Sequence, residues 1–276
     1  MLDEVVGWLR CPHCVSRLSI VDGAARCSNR HSFDIARQGY LNLLGGGRAV
    51  PAGDTAEMVG ARADFLAAGH YAPITAALTD AAAGAPAGGV LDLGAGTGHH
   101  LAAVLTAAPD RVGLAVEVSK PALRRAARAH PRAAAIAADV WAGLPVADRA
   151  VTLVQSVFAP RNPAETHRVL ADGGVLVVAA PTARHLGELV EALGLLRVAP
   201  DKRARLEASL ADGFITAAAV EVEFELRLRH AEVHTAVRMG PNAWHTEPDR
   251  LSAAITALPD PVAVTASVTV STHRRR

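Results

Sequence analysis

One stretch of the chain decides the fold: Val-Leu-Asp-Leu-Gly-Ala-Gly-Thr-Gly, residues 90–98. A short apolar run leads into a glycine-rich turn, and a helical apolar pattern over 101–107 follows it. Glycine permits positive φ angles and lets a ligand approach the backbone closely, so the turn indicates a nucleotide site ahead of a helix. The dinucleotide fingerprint GxGxxG would need a glycine where His99 stands, which disfavours a dehydrogenase.

Short apolar runs alternate with helical stretches through the middle of the chain. The predicted strands are 90–94, 112–118, 133–138, 151–157 and 175–180, with predicted helices over 101–107 and 121–130. This alternation predicts a parallel sheet covered on both faces, a Rossmann-like α/β fold. Residues 55–83 predict two helices around the turn Gly69-His70-Tyr71. Residues 220–228 and 262–270 alternate strictly and predict two further strands, the last one antiparallel.

The turn and the ends of the next two strands supply candidate cofactor contacts. The spacing GxGxG, with Asp92 two residues before the first glycine, resembles motif I of class I methyltransferases, which use S-adenosylmethionine. Glu117 ends the second strand, where a carboxylate can accept hydrogen bonds from ribose hydroxyls. Asp139 ends the third strand, where methyltransferases place an acid beside the adenine amino group. Ordinary strand-end carboxylates are the alternative for both. The candidates within the turn are Gly94, Gly96, Thr97 and Gly98.

Topology adds two further cofactor candidates. Ligands of open α/β sheets bind outside the carboxyl ends of the strands. His185 follows the strand predicted to end at residue 180, so its side chain is expected to face that crevice. Tyr71 lies in the turn just before the sheet begins and is expected to cover the methionine end of the cofactor. A packed surface turn is the alternative for each residue.

All three cysteines lie near the N-terminus, in the motifs CPHC at 11–14 and CSNRH at 27–31. Zinc prefers four thiolate or imidazole ligands at tetrahedral corners. The spacing therefore predicts a closed, structural zinc site formed by Cys11, Cys14, Cys27 and His31. His13, inside the CxxC loop, is a competing ligand. Buried free thiols are the alternative to a metal site.

The charge balance limits how a nucleic acid could be held. The net charge is only +1, so phosphates would have to meet a local basic patch. Two groups of arginines are candidates: Arg10, Arg17, Arg26, Arg30 and Arg37 around the zinc motif, and Arg124, Arg125 and Arg128 on a predicted helix. We favour the group around the zinc motif as the RNA contact. A solvated charged face is the alternative for both groups.

These patterns divide the chain into three parts. We expect a zinc-binding, RNA-recognition module over 1–45, a linker with N-terminal helices over 46–88, and a methyltransferase domain over 89–276. The few, clustered cysteines disfavour a disulfide framework. The acidic N-terminus does not resemble a signal peptide, and no apolar run reaches the length of a membrane span. We therefore expect a cytoplasmic protein with no membrane partner.

The motifs occur together in one known family. The chain resembles the RlmA 23S rRNA guanine-N1 methyltransferases over nearly its whole length, and the zinc motif with the segment after it is the specific part. Besides the zinc motifs, the matching segments are Phe33-Asp34, Gly39-Tyr40-Leu41-Asn42-Leu43-Leu44, Asp54-Thr55, Glu57-Met58, Ala61-Arg62, Gly69-His70-Tyr71, Val118-Ser119-Lys120, Phe158-Ala159-Pro160, Arg184-His185-Leu186 and Trp244. Residues 98–101, 124–131 and 159–163 are most similar to the RlmA(II) branch, which includes the tylosin-resistance methyltransferase of macrolide producers.

The resemblance implies a specific reaction. It implies methylation of guanine N1 at the position numbered 748, in the helix 35 hairpin of domain II of 23S rRNA, whereas the sister branch modifies position 745. It also implies tylosin-type macrolide resistance, a homodimer, structural zinc, and cofactor contacts at Tyr71, Gly96, Thr97 and His185. No catalytic base identifies itself, although Arg161, Asn162 and His185 lie near the expected crevice.

Two rival functions remain at this point. A small-molecule methyltransferase is disfavoured by the zinc motif, because small substrates seldom require a second recognition module. An RNA-binding protein with a vestigial cofactor fold is disfavoured by the intact glycine turn with Asp92 and Glu117. The fold alone does not choose between substrates.

Overall fold

The fold is taken from a computed structural model, which describes residues 1–44, 53–244 and 247–276. The core of the predicted linker, residues 45–52, and the side chain of Trp244 lie outside the described residues. The helices are α1 Leu2–Val5, α2 Ala56–Ala67, α3 Ala72–Ala83, α4 His99–Ala107, α5 Lys120–Ala126, α6 Pro163–Val169, α7 Gly187–Leu193, α8 Lys202–Leu210, α9 His230–Arg238 and α10 Pro248–Thr256. The strands are β1 Leu18–Val21, β2 Ala24–Cys27, β3 Ser32–Asp34, β4 Leu41–Asn42, β5 Val90–Leu93, β6 Gly113–Glu117, β7 Ala133–Ala137, β8 Val151–Val157, β9 Leu170–Pro181, β10 Phe214–Leu228 and β11 Val262–Arg275.

The main sheet has eight strands in the order β10-β11-β9-β8-β5-β6-β7-β4. The pairs from β9 to β4 are parallel, and β11 runs antiparallel to both of its neighbours. The predictions of a parallel α/β sheet and of an antiparallel last strand are thus confirmed. The chain crosses from one side of β5 to the other between β7 and β8, so a crevice opens at the carboxyl end of β5.

The N-terminal part forms a small antiparallel sheet, β1-β2-β3, and then joins the main sheet. β4 was not predicted, and it pairs in parallel with β7, with Leu41 opposite Ile136. The amide of Leu43 donates to the carbonyl of Ala137 at 2.9 Å. On the other side of the module, the amide of Arg10 donates to the carbonyl of Pro145 at 2.9 Å. The N-terminal part is therefore hydrogen-bonded both to the main sheet, at β7, and to the segment between β7 and β8.

Each face of the sheet has its own apolar core. Val90 packs on one face with Phe65 of α2 and Leu101 of α4, all almost fully buried. On the other face, Leu91 and Ile136 pack in one cluster with residues of the N-terminal part, including Leu9, Phe33 and Leu41. Complete burial of a leucine or phenylalanine side chain contributes about 1.5–3 kcal/mol. The N-terminal part therefore supplies much of the cover for this second face.

Local signals set the ends of the helices that border the crevice. The Thr55 hydroxyl accepts the amide of Met58 at 3.2 Å and caps α2. The predicted turn at Gly69 separates α2 from α3. The predicted helix 121–130 ends earlier, at Ala126. His130 precedes Pro131, which disfavours helical backbone at 130 and shortens the helix. Within the described residues, no helix has both the length and the apolarity to cross a bilayer.

Candidate active site and metal centre

A cavity of about 1250 Å³ opens at the carboxyl ends of β5, β6 and β8. Every predicted cofactor residue except Gly98 lines it: Tyr71, Asp92, Gly94, Gly96, Thr97, Glu117, Asp139 and His185. Sites for single small ligands are usually about 300–1,000 Å³. The cavity is therefore large enough for a nucleoside-sized cofactor and a second planar group beside it.

The three glycines of the turn have different structural roles. All have positive φ angles, +66° at Gly94, +55° at Gly96 and +78° at Gly98. A Cβ atom at Gly94 would lie 2.6 Å from Cβ of Ala159, and one at Gly98 would lie 2.8 Å from Cβ of Ala129. A Cβ at Gly96 would meet only the guanidinium of Arg62, at 3.5 Å. Gly94 and Gly98 are therefore required by packing within the protein, whereas the backbone at Gly96 is open to the cavity.

Glu117 fixes the glycine turn to the next strand. Its Oε2 accepts the amide of Gly96 at 2.9 Å. Its Oε1 accepts the amides of Val118 and Ser119 at 2.7 and 2.9 Å. A carboxylate offers about four acceptor positions, so one remains for a hydroxyl donor from the cavity. Glu117 thus has both a positioning role and a free acceptor.

The other two acids occupy contrasting environments. Asp92 lies within β5, inside the sheet, and its side chain is only 2% exposed. Burial raises the pKa of its carboxyl to about 8, with the hydrogen bond from Gln155 opposing this shift and the nearby charge of Glu117 adding to it. Asp139 is partly exposed at the end of β7, and its Oδ1 accepts the amide of Trp141 at 2.9 Å. Asp139 can therefore meet a ligand directly, whereas Asp92 is almost fully buried at the cavity wall and hydrogen-bonds with Gln155.

Tyr71 and His185 are joined by a hydrogen bond on the opposite wall. The Tyr71 hydroxyl lies 3.0 Å from Nε2 of His185, and the amide of Ser267 donates to Nδ1 of His185 at 3.2 Å. Burial lowers the pKa of His185 to about 4 and raises that of Tyr71. His185 is therefore neutral at pH 7, and because Nδ1 accepts a hydrogen bond, Nε2 carries the proton. Nε2–H therefore donates to the hydroxyl oxygen of Tyr71. The hydroxyl proton of Tyr71 can then be donated to a ligand.

The structure adds two cavity residues that the sequence analysis did not assign to the site. Arg62 of α2 pairs with Asp54, and its Nη2 donates to the carbonyl of Met239 at 2.5 Å. Phe158 follows β8 with a φ of +53° and is 41% exposed. Its ring centroid lies 5.9 Å from that of Tyr71 and 5.6 Å from that of His185. A bulky residue in left-handed backbone is an outlier, and such strain clusters at ligand sites.

The predicted metal ligands converge in the N-terminal part. The ligand atoms of Cys11, Cys14, Cys27 and His31 all lie within 4.8 Å of one another. The Cys14 and Cys27 sulfurs are 3.7 Å apart, and Nδ1 of His31 lies 3.5 Å from the Cys11 sulfur and 3.4 Å from that of Cys27. Tetrahedral zinc, with bonds of about 2.3 Å to sulfur and 2.0 Å to nitrogen, separates its ligands by about 3.5–3.8 Å. The four atoms therefore fit one zinc ion.

The structure also distinguishes the two histidines near this group. His13 is exposed and stacks on Phe33, with ring centroids 5.7 Å apart. His31 alone of the two contributes an atom to the ligand group. Hydrogen bonding with Ser16 lowers the pKa of Cys14 to about 5, which favours the thiolate that binds metal. The donor set and its charge state therefore suit zinc.

The arginines around the zinc motif are not equivalent. Arg10 donates to the carbonyls of Gly7 and Leu9, at 3.2 and 2.8 Å. Arg26 pairs weakly with Asp22 at 3.6 Å. Arg17, Arg30 and Arg37 are exposed, and none of them has an ion pair with another described residue. Of this group, these three are the ones most available to an external anion, and Arg17 and Arg30 are the two in or beside the metal-binding loops.

The geometry can be compared with known proteins at this point. Two family models match: a zinc ribbon described as "RlmA, N-terminal" over residues 9–45, and a methyltransferase domain over residues 90–174. Among solved structures, the fold is similar to a chain in the Haloferax volcanii complex between the Trm112 methyltransferase activator and a putative methyltransferase. The superposition has a TM-score of 0.51 at 19% identity and covers 80% of this chain and 98% of that chain. This similarity bears on the fold alone. The fold and site define a class I, S-adenosylmethionine-dependent methyltransferase with an N-terminal zinc ribbon.

Two relatives match over nearly the full length. One from Micromonospora griseorubida, named for a 23S rRNA guanine-N1 methyltransferase, is 53% identical over 99% of both chains. The 23S rRNA (guanine(748)-N(1))-methyltransferase of Streptomyces fradiae is 49% identical over 99% of both chains. The chain belongs to the RlmA family of 23S rRNA guanine-N1 methyltransferases. The family expected from the sequence motifs is confirmed.

Proposed function

We propose that this enzyme transfers the methyl group of S-adenosylmethionine to N1 of a guanine in 23S rRNA, at position 748 in the helix 35 hairpin. The relative from Streptomyces fradiae, whose name specifies position 748, supports this choice over position 745. The observation that carries the proposal is the cavity at the end of β5, which joins the glycine turn to an exposed aromatic ring. It offers a cofactor site and a base site that share one space.

The cofactor would lie across the ends of β5, β6 and β7. The open backbone at Gly96 and the neighbouring Thr97 would face its methionine and ribose portions. The free acceptor position of Glu117 would take a ribose hydroxyl, and Asp139 would take the adenine amino group. Tyr71 would donate its hydroxyl proton to the methionine end, because Nε2–H of His185 occupies the tyrosine oxygen as an acceptor. Gly94, Gly98 and Asp92 would shape the turn without touching the ligand.

The guanine would enter on the β8 side of the cavity, beside Phe158. Its exposed ring can stack on a flipped base, an interaction of about 1–3 kcal/mol in nucleic-acid complexes. Methyl transfer is in line: the N1–C bond forms as the C–S bond breaks, giving S-adenosylhomocysteine, and the N1 proton leaves to solvent or a base. His185 is a poor base because its pKa is lowered to about 4 and both ring nitrogens are hydrogen-bonded. The main contribution of the protein is then alignment.

The zinc ribbon would be structural, and it would contact RNA. All four ligands come from the protein, which leaves no open coordination position for catalysis. Zinc would hold the loops that carry Arg17 and Arg30 in one arrangement. Because the whole chain has a net charge of only +1, such local groups are needed to bind phosphates. We therefore keep 1–45 as the RNA-recognition module, 46–88 as the connecting segment and 89–276 as the catalytic domain.

We also propose a homodimer. The outer edge of β10 has no strand partner among the described residues, and the strand exposes Ile215 by 54% and Val220 by 59%. Long exposed edges with apolar residues are sites of association. Light scattering coupled to gel filtration would measure the mass of the wild type and of Val220→Lys. A monomeric wild type would contradict this part of the proposal.

Transfer of a radiolabelled methyl group to 23S rRNA, followed by primer extension, tests the reaction. Methylation at N1 blocks base pairing, so reverse transcription should stop beside position 748. A stop at 745 would correct the position, and labelling of small molecules but not of RNA would overturn the substrate. Expression in a sensitive host should raise its tolerance of tylosin, and an unchanged inhibitory concentration would contradict the resistance role.

A further inference from the structure

The large cavity has opposite charge on its two halves. The acidic side chains on its wall are Asp54, Asp92, Glu117 and Asp139, and the last three stand at the ends of β5, β6 and β7. Arg62 pairs with Asp54, and the raised pKa of Asp92 keeps that group protonated at pH 7, so the negative charge of this half comes from Glu117 and Asp139. Cations occupy the β8 and β9 side. They are Arg161, Arg197, Lys202 and Arg205. The strand order places β8 and β9 on one side of β5 and β6 and β7 on the other, so these halves lie apart.

Three of these cations, Arg161, Lys202 and Arg205, form what we call the cation cluster. Lys202 and Arg205 lie three residues apart on α8, on the same helix face as Leu206 and Ser209, and all four face the cavity. Arg161 follows β8 and reaches the same space. Burial and the positive charges of Arg161 and Arg205 lower the pKa of Lys202. The cluster is thus close enough for its members to repel one another.

Little within the protein neutralises this cluster. Among the described residues, the side chain of Lys202 has no ion pair or hydrogen bond, and the side chain of Arg205 has only its exposed contact with Asp201 at 3.1 Å. Nε of Arg161 is buried without a hydrogen-bond partner, while its Nη2 donates to the carbonyl of Ala159 at 3.3 Å. A buried donor left unpaired costs about 1–3 kcal/mol, more when it is charged. An anion in the cavity would remove both the repulsion and this cost.

We propose that Arg161, Lys202 and Arg205 bind the phosphate groups of the RNA nucleotides that flank the target guanine. This inference rests on the function proposed above. The cofactor has a positively charged sulfonium, which suits the acidic half, whereas a nucleotide entering beside Phe158 brings its phosphates to the cationic half. Arginine binds phosphate oxygens through a two-pronged fork and lysine through a compact charge. The cation cluster therefore binds the RNA backbone beside the nucleotide whose base enters the cavity.

The test compares Lys202→Ala and Arg205→Ala with Arg203→Ala. Arg203 belongs to the same helix and, like Arg205, has one exposed ion pair, with Glu207 at 2.9 Å, but it does not line the large cavity. Arg161 is left unchanged because its hydrogen bond to Ala159 supports packing against Gly94. For each full-length protein, affinity for the helix 35 hairpin is measured over a range of salt concentrations, and affinity for S-adenosylmethionine is measured by calorimetry.

Each cavity variant should weaken RNA binding and reduce the slope of log affinity against log salt by about 0.7–0.9. Binding of S-adenosylmethionine should be unchanged, and Arg203→Ala should match the wild type in both measurements. An unchanged salt slope in both cavity variants would overturn the inference. So would a loss confined to S-adenosylmethionine, which would assign the cluster to the methionine carboxylate. If the wild type neither binds nor methylates the hairpin, the proposed function itself fails, which is a separate outcome.

Discussion

The amide of Gly96 donates a hydrogen bond to the carboxylate of Glu117 at 2.9 Å, across 21 positions of sequence. This bond connects the turn glycine at which a Cβ would meet no backbone or packed apolar side chain with the acid at the end of the next strand. The same carboxylate holds the amides of Val118 and Ser119. The shape of the glycine turn and the position of the acceptor are therefore one structural unit.

Glu117→Gln should weaken binding of S-adenosylmethionine by about 10- to 100-fold, because hydrogen bonds to a charged group contribute about 1.5–3 kcal/mol. The amide keeps the size of the side chain but turns one acceptor into a donor facing backbone N–H groups. Calorimetric titration measures the effect. Glu225→Gln, on the exposed part of β10, is the control and should bind as the wild type does. Equal affinity of both variants would contradict the assignment.

Gly96→Ala and Gly98→Ala should have different effects, one mainly on cofactor affinity and the other mainly on stability. The methyl group at 96 points into the cavity, so the main loss should be cofactor affinity, with about 1 kcal/mol of backbone strain from the positive φ. The methyl group at 98 would lie 2.8 Å from Cβ of Ala129, so the main loss should be stability, by about 1–3 kcal/mol. Thermal unfolding and calorimetry separate the two effects. The reverse pattern would refute this division of roles.

Asp92 should make stability depend on pH. Its folded pKa of about 8 lies above the ordinary value of 3.8, so the folded state holds a proton that the unfolded state releases. Stability should therefore decline as pH rises from about 4 to about 8, by up to roughly 1.4 kcal/mol per pH unit. Asp92→Asn should flatten this part of the curve. Denaturant unfolding at several pH values measures the free energy of unfolding. If this free energy changes with pH in the same way in the wild type and in Asp92→Asn, the prediction is wrong.

Cys27→Ser should remove zinc and disorder the N-terminal part. The ligand sulfur is lost, and with it much of the free energy that folds a module this small. Metal analysis should find less than one zinc per chain, and hydrogen exchange should accelerate over residues 5–43. Ser28→Ala, at an exposed position of the same loop, is the control. Full zinc content in the Cys27 variant would exclude it as a ligand.

Arg17→Ala and Arg30→Ala should weaken binding of the rRNA hairpin, each with a smaller salt dependence, because both guanidinium groups are exposed and without an ion pair among the described residues. Arg203→Ala serves as the control, since its exposed guanidinium lies on α8, outside the N-terminal part. Point variants are preferable to removing the first 50 residues, which would expose Leu91 and Ile136. Identical salt slopes for all three variants would argue against the zinc ribbon as an RNA contact.

The sequence predicts the parts of this protein that depend on local pattern. The strand runs, the glycine turn and the zinc motifs are short and strongly patterned, and all lie where expected. β4 could not be predicted, because a strand of two residues has no period and exists only through its pairing with β7. The cation cluster was missed for a related reason. Arg161 and Lys202 are 41 positions apart, and only the fold of β9 and the segment after it brings them together.

The pairing of β4 with β7 has a consequence for how this enzyme can be re-engineered. The zinc ribbon contributes a strand and apolar side chains to the catalytic sheet, so it is not a structurally independent domain. Grafting a ribbon from a relative would bring side chains shaped for another sheet face. A working chimera would have to exchange Leu9, Phe33 and Leu41 together with the residues of β5 and β7 that they touch. Any exchange of the ribbon is therefore also a change to the core of the catalytic sheet.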